Sequence, residues 1–182
     1  MKKIYFLHGY QTSGKKFECL QNFYQNFEEY NTICWDWDEF MNIPKFLEDK
    51  AKILKENCED SIIMADSMGA NIAWHLVNSF KGMHYVMTNP VFSAEQIKEQ
   101  ERIPAELKEK IFSATSENIL NKNIHLIISK NDEVLDPNYY KKVFGTSLKI
   151  LELDDVHAIT HMNEYMPSIH QVIMKAFDKA NS

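Results

Sequence analysis

Short apolar runs alternate along this chain with longer amphipathic ones, and that alternation narrows the possible folds more than any other feature. Lys3–Leu7, Thr32–Trp37, Ser61–Met64, His84–Met87, Ile124–Ile128 and Leu148–Leu153 read as strands. Between them, residues 15–29 place Phe17, Leu20, Tyr24 and Phe27 at helical spacing. Pro44–Lys55 carries Phe46, Leu47, Ile53 and Leu54, and a third helix is expected from Met68 to about Phe80. A further helix is expected through Tyr139–Val143, and a last one from about Asn163 to Phe177. Strands this short, separated by helices, need crossover connections. The expectation is an α/β fold with a mainly parallel central sheet and helices on both faces. Ligands in such sheets bind beyond the carboxyl ends of the strands, so chemistry is to be sought just after each one.

The 182 residues suit a single domain spanning 1–182. The polar segment 91–122 is the longest connection; it is expected to be helical and to form a minimal cap over the site, with Phe92, Ile97 and Phe112 as pocket walls. With 45% apolar and 25% charged residues, the composition excludes a disordered or collagen-like chain. No stretch approaches the roughly 18 apolar residues of a membrane span. The opening MKKIYFLHGY has an apolar run only from Ile4 to Leu7, short of the about 7–15 residues of a signal peptide, so a cytoplasmic location is expected. Twenty Lys and Arg stand against 26 Asp and Glu, a net charge of -6 that argues against non-specific nucleic-acid binding. Cys19, Cys34 and Cys58 cannot all pair and form no CxxC, which points to reduced thiols. The sequence leaves the oligomeric state open.

After the third apolar run comes Ala65-Asp66-Ser67-Met68-Gly69, the G-x-S-x-G nucleophile elbow with Ala for the first Gly. Small residues at its ends answer a steric need, because the strand turns sharply into a helix and pushes the serine to the apex. The plainer alternative is a strand–helix junction with Ser67 as N-cap. After the first run, His8-Gly9-Tyr10 is placed to supply one oxyanion N–H from Tyr10, with the second from Met68. His8 is then a structural brace. The same loop admits a rival, since Gly9 to Lys15 reads G-x-x-x-x-G-K, a near P-loop for a nucleotide, with Asp66 ending a Walker-B-like strand. Position 16 is Lys where a magnesium-binding Ser or Thr belongs.

After the fifth run, Asp132 is the candidate triad acid, able to orient an imidazole. Asp136 is expected to cap the next helix ahead of Pro137, and Asn89, after the fourth run, lacks the charge. After the sixth run come His157 and His161. The order Ser67, Asp132, His is that of elbow-type hydrolases. His157 is the preferred base, because it follows the strand by four residues and leads into the anchoring Ala158-Ile159; His161 is the alternative. A zinc site at His157 and His161 is the weaker option, since H-A-I-T-H lacks the internal Glu of H-E-x-x-H. Asp66 is expected to be a surface carboxylate favoured by the helix N-terminus.

LHGYQTSG, ADSMGAN, Asn89-Pro90, ISKNDEVLD and the DDVH…H tail together resemble the compact α/β-hydrolases of the YqiA-like esterase group. The resemblance runs the length of the chain through short motifs. It implies a Ser67 nucleophile, an Asp132 acid, a catalytic His near 157–161 and esterase activity on a small acyl ester. Serine chemistry of this kind needs no cofactor and no metal, and the charge and hydropathy above give no expectation of a nucleic-acid or membrane partner. A non-catalytic binding protein on the same fold is the reading from another class.

Overall fold

The computed structural model describes every residue except Ser13, Ser147, Lys149, Asn181 and Ser182. In chain order the elements are β1 (Lys2–Leu7), α1 (Lys15–Tyr24), β2 (Tyr30–Cys34), α2 (Ile43–Asn57), β3 (Ser61–Asp66), α3 (Met68–Val77) and β4 (His84–Thr88). There follow α4 (Ala105–Lys108), β5 (Ile124–Ser129), α5 (Tyr140–Phe144), β6 (Ile150–Leu153) and α6 (Met162–Ala180). The six strands form one sheet in the order β2-β1-β3-β4-β5-β6, with every neighbouring pair parallel.

Burial on both faces explains why β3 and β4 read as largely apolar runs, while the edge strands β2 and β6 carry Asn31, Thr32 and the exposed Glu152. Alternate side chains divide between two cores. Tyr5, Leu7, Ile63 and Met87 pack with α3 residues such as Trp74 on one side. Ile4, Phe6, Ile62 and Val86 pack with Leu20 of α1 and Ile169 and Ile173 of α6 on the other. From β1 the chain crosses to β2 at one edge and then returns to β3 on β1's other side. Strand order therefore reverses at β1 and β3, which opens a crevice beyond their carboxyl ends. Among the described residues, no helix is long and apolar enough to cross a membrane.

Several boundaries differ from expectation for identifiable reasons. The helix expected over 15–29 stops at Tyr24, and Phe27 lies beyond it, packed against Tyr24 with ring centroids 5.5 Å apart. The second strand covers 30–34 rather than 32–37. Trp35 leaves it to stack on Tyr5 at 4.5 Å, and the Trp37 indole N–H donates to the His8 carbonyl at 2.7 Å. The sixth strand begins at Ile150, and Lys149 of the expected run lies outside the described residues.

Segment 91–122 is the main correction. Its helical content is confined to 3-10 turns at Ala94–Gln96 and Gln100–Arg102 and to the four-residue α4. Side-chain amides take the place of helical bonding there. Asn71 of α3 donates to the carbonyls of Val91 and Phe112 and accepts from the Phe112 N–H at 2.8 Å. Gln96 accepts from the Phe92 N–H at 2.7 Å, and Asn78 accepts from the Leu120 N–H at 2.9 Å. These side chains satisfy backbone groups that a longer helix would otherwise pair, so the segment needs only short helical turns.

Candidate active site

The junction of β3 and α3 is shaped by what cannot fit there. A methyl on Gly69 would stand 2.3 Å from the His8 carbonyl oxygen and 2.5 Å from that of Leu7. Only glycine lets α3 approach β1 this closely. Ser67, at the apex, has φ 49° and ψ −115°, a strained backbone for a residue with a Cβ. Its hydroxyl caps no helical N–H. It lies instead 2.9 Å from His157 Nε2.

His157 sits in the loop between β6 and α6 and reaches back across the carboxyl ends of the sheet. Its Nδ1 is 2.7 Å from Asp132 Oδ2. A carboxylate facing Nδ1 fixes the proton there and leaves Nε2 as an acceptor for the serine hydroxyl. Asp132 is buried, and its other oxygen accepts the N–H groups of Val134 and Leu135 at 2.9 and 2.8 Å. The carboxylate is thus oriented from its own loop before it meets the imidazole. The His157 N–H donates to Glu133 at 3.0 Å.

His161 is placed elsewhere. It is exposed at the start of α6, and both its N–H and its Nδ1 face Asp155, at 2.9 and 3.1 Å. The two histidines of the zinc alternative therefore engage different carboxylates. Burial works to raise the pKa of Asp155, but the backbone N–H groups of His161 and Val156 and the Thr160 hydroxyl outweigh it and hold the group well below the usual carboxylate range.

Tyr10 and Met68 both line the crevice at Ser67. Among the described residues, neither backbone N–H has a hydrogen-bond acceptor. The loop carrying Tyr10 is braced by His8, whose Nε2 accepts the Trp37 N–H at 3.2 Å, directing its Nδ1–H to the Gly9 carbonyl at 2.8 Å. Ser13 of this loop lies outside the described residues.

Two clefts meet at Ser67 and His157. One, of about 420 Å³, is walled by Met68, Val91, Ile97, Ile103 and Leu135. The other, of about 810 Å³, has mixed walls, with Gln11, Thr12, Lys15 and Asn22 beside Ile159 and Met162. Of the apolar walls expected from segment 91–122, only Ile97 reaches a cleft at Ser67. Phe92 is core, stacked on Trp74 at 5.3 Å, and Phe112 packs against His75 at 4.8 Å.

Asp66 is a second correction. It is 4% exposed rather than on the surface. Lys16 Nζ donates to its Oδ1 at 2.7 Å, and the Thr88 hydroxyl donates to the same oxygen at 2.7 Å. Asn89 also escaped the sequence reading. Held at φ 41°, it donates through Nδ2 to the His157 carbonyl and to Ser129 Oγ, both at 2.9 Å, while its Oδ1 accepts the Ser129 N–H. Its sequence signals were its place after a strand, where its lack of charge discounted it as an acid, and the Asn89-Pro90 pair among the resemblance motifs, which gave it no role.

A model of an uncharacterised protein family, UPF0227, matches residues 3–174. No curated protein matches the chain. Among solved structures, the ydeN gene product from B. subtilis superposes with a TM-score of 0.72 at 14% identity, covering 98% of this chain and 100% of that one. A putative hydrolase of the alpha/beta superfamily from Xanthomonas campestris gives 0.66 at 12% identity over 96% and 99% of the two chains. MGS-MChE2, an alpha/beta hydrolase enzyme from the metagenome of lagoon sediments at Mar Chica, Morocco, gives 0.67 at 16% identity over 96% and 91%. The chain has the α/β-hydrolase fold.

Proposed function

The chain belongs to the uncharacterised protein family UPF0227, and on that premise we propose that it is a serine hydrolase of carboxylesterase or thioesterase type. One observation carries the reading: an unbroken chain of hydrogen bonds from Asp132 through His157 to Ser67, with 2.7 and 2.9 Å links, at the strained apex of the elbow.

A serine hydroxyl is almost fully protonated at neutral pH, so it attacks only as a base removes its proton. Ser67 Oγ adds to the acyl carbonyl carbon while its proton passes to His157 Nε2. Asp132 holds the imidazole and stabilises the imidazolium that forms. The N–H groups of Tyr10 and Met68 receive the developing oxyanion. Collapse breaks the bond to the leaving alcohol or thiol, which takes the proton from His157. Water then repeats the sequence on the acyl-enzyme, releasing the acid and restoring Ser67. Positioned general-base help contributes about 10²–10⁴-fold and each oxyanion donor about 10²–10³-fold. The apolar cleft takes the acyl chain and the larger, mixed cleft the leaving group. The scheme calls on no cofactor or metal. Residues 1–182 act as one domain in the cytoplasm, with 91–122 contributing cleft walls rather than a mobile cap.

The P-loop rival is disfavoured by Lys16, whose ion pair with Asp66 occupies the position where a magnesium-bound phosphate would need a hydroxyl and an unpaired carboxylate. The test is a panel of p-nitrophenyl esters and thioesters graded in acyl length. Turnover that falls on the order of 10³-fold or more in Ser67→Ala is expected. A folded protein inactive across the panel would favour the binding-protein reading. An ATP- and magnesium-dependent rise in Tm, lost in Lys15→Ala, would favour the nucleotide reading.

A further inference from the structure

His157 stands in a loop, so the position of its ring depends on what holds that loop to the sheet. Its main-chain carbonyl has two donors from different elements: Asn89 Nδ2 at 2.9 Å and Lys16 Nζ at 3.3 Å. The amide is neutral, whereas the ammonium brings a positive charge close to an imidazole that must itself become positive during the reaction. That charge is met at once by Asp66, 2.7 Å from Nζ. The side chains of Lys16 and Asp66 are only 12% and 6% exposed.

We propose that Lys16 is a positioning residue for the base, its ammonium pinning the His157 carbonyl, and that Asp66 is buried beside it to cancel the charge the pin brings to the imidazole. The inference rests on the serine-hydrolase reading.

Stability alone gives little reason for such a pair, since desolvating two charges costs about what their attraction returns. Its location does give one. The carboxylate lies beneath the oxyanion loop, where a methyl on Gly9 would stand 3.0 Å from Asp66 Oδ2 and 3.3 Å from Ser67 Cβ. Glycine at position 9 therefore makes room for the carboxylate beside the nucleophile. Other charged groups stand around His157: Lys98 donates to the Asp132 carbonyl, and Lys15, Glu18 and Glu99 line the clefts. Asp132 takes the ring Nδ1, Glu133 takes the main-chain N–H, and Asp155 is bonded to His161 at the foot of α6. The Lys16–Asp66 pair differs from these in being buried and in reaching the base through the His157 carbonyl, without touching its ring.

Two variants separate the pin from its neutraliser. In Asp66→Asn the amide carbonyl can still accept from both Lys16 and Thr88, which share one oxygen in the parent, so the pin stays and its charge is uncancelled. The acid limb of the kcat/KM profile should then move to lower pH by on the order of one unit. In Lys16→Met combined with Asp66→Asn the site is neutral, the His157 carbonyl keeps only its Asn89 donor, and neither member of the pair is left as an unpaired buried charge. There the limb should stay in place while plateau kcat falls on the order of tenfold and KM changes by less than about twofold. Lys16→Arg should recover most of the loss.

The His157 ring is also followed directly by NMR of histidine-labelled protein, which requires no turnover. Asp66→Asn should displace its titration downward, and the double variant should broaden its signals. An unmoved limb and titration in Asp66→Asn, or a double variant as fast as the parent with sharp His157 signals, overturns the proposal. Failure of the hydrolase reading is seen separately, as absence of ester turnover in the parent.

Discussion

Gly69→Ala probes the tightest of the glycine positions. The added methyl meets backbone on β1 and the turn after it: 2.3 Å to the His8 carbonyl oxygen, 2.5 Å to that of Leu7 and 2.7 Å to the Leu7 carbonyl carbon. An ordinary C···O contact is about 3.3 Å, so α3 must withdraw by about 1 Å. No flexible side chain can yield instead, and the His8 carbonyl is also fixed by the Trp37 indole. Overpacking of this kind costs about 1–3 kcal/mol, here at the upper end because the obstacle is backbone. Replacing glycine by alanine within a helix returns up to about 1 kcal/mol. The net destabilisation is therefore about 2 kcal/mol, or about 4–8 °C in Tm for a domain of this size. The same withdrawal pulls Ser67 and the Met68 N–H away from Tyr10, and a 1 Å misplacement costs on the order of 10²-fold in rate. Urea unfolding and p-nitrophenyl butyrate turnover measure both. Gly82→Ala, where the methyl meets nothing within 4 Å, is the control. A Gly69→Ala protein within about 0.5 kcal/mol of the parent and of comparable kcat would refute the reasoning.

His157→Ala should lower kcat on the order of 10³-fold or more, while His161→Ala should leave it close to the parent value; the reverse result would move the base to His161. Asp155→Ala removes the acceptor of the Val156 and His161 N–H groups and of the Thr160 hydroxyl at the start of α6, and should cost about 1–2 kcal/mol in urea at neutral pH. Because the folded pKa of Asp155 is depressed, its contribution is complete above the unfolded carboxylate value of about 4 and is lost as pH falls below it. The gap between parent and variant should therefore narrow progressively as pH falls from about 4 toward the depressed folded value, and a gap that does not narrow over that range would contradict this assignment.

Much of the architecture was legible because it depends on local pattern. Each of the six strands could be seen as an apolar run, and the residues after three of them, Ser67, Asp132 and His157, lie in one hydrogen-bonded chain. What could not be read depends on partners distant in sequence. Asp66 looked like a surface carboxylate because Lys16 lies 50 residues away, and nothing near Asp66 announces the pairing. Segment 91–122 looked helical because its composition allows a helix, but its backbone bonds are taken by Asn71 and Asn78 of the α3 region. Asn89 was weighed only as a possible acid, although its amide ties β4, β5 and the His157 loop together. Trp37 was assigned to a strand because it continues the alternation of Ile33 and Trp35, whereas its indole serves the His8 loop.

Covalent labelling of Ser67 tests the central claim most directly. A fluorophosphonate reacts with a serine only where a base removes its proton and donors hold the phosphoryl oxygen, which is the chemistry assigned to His157, Tyr10 and Met68. The folded protein should take up one equivalent, located by peptide mass spectrometry on Ser67, with labelling lost in Ser67→Ala and strongly slowed in His157→Ala. A folded protein that remains unlabelled, or carries the adduct on another residue while Ser67→Ala labels as readily, would contradict the account.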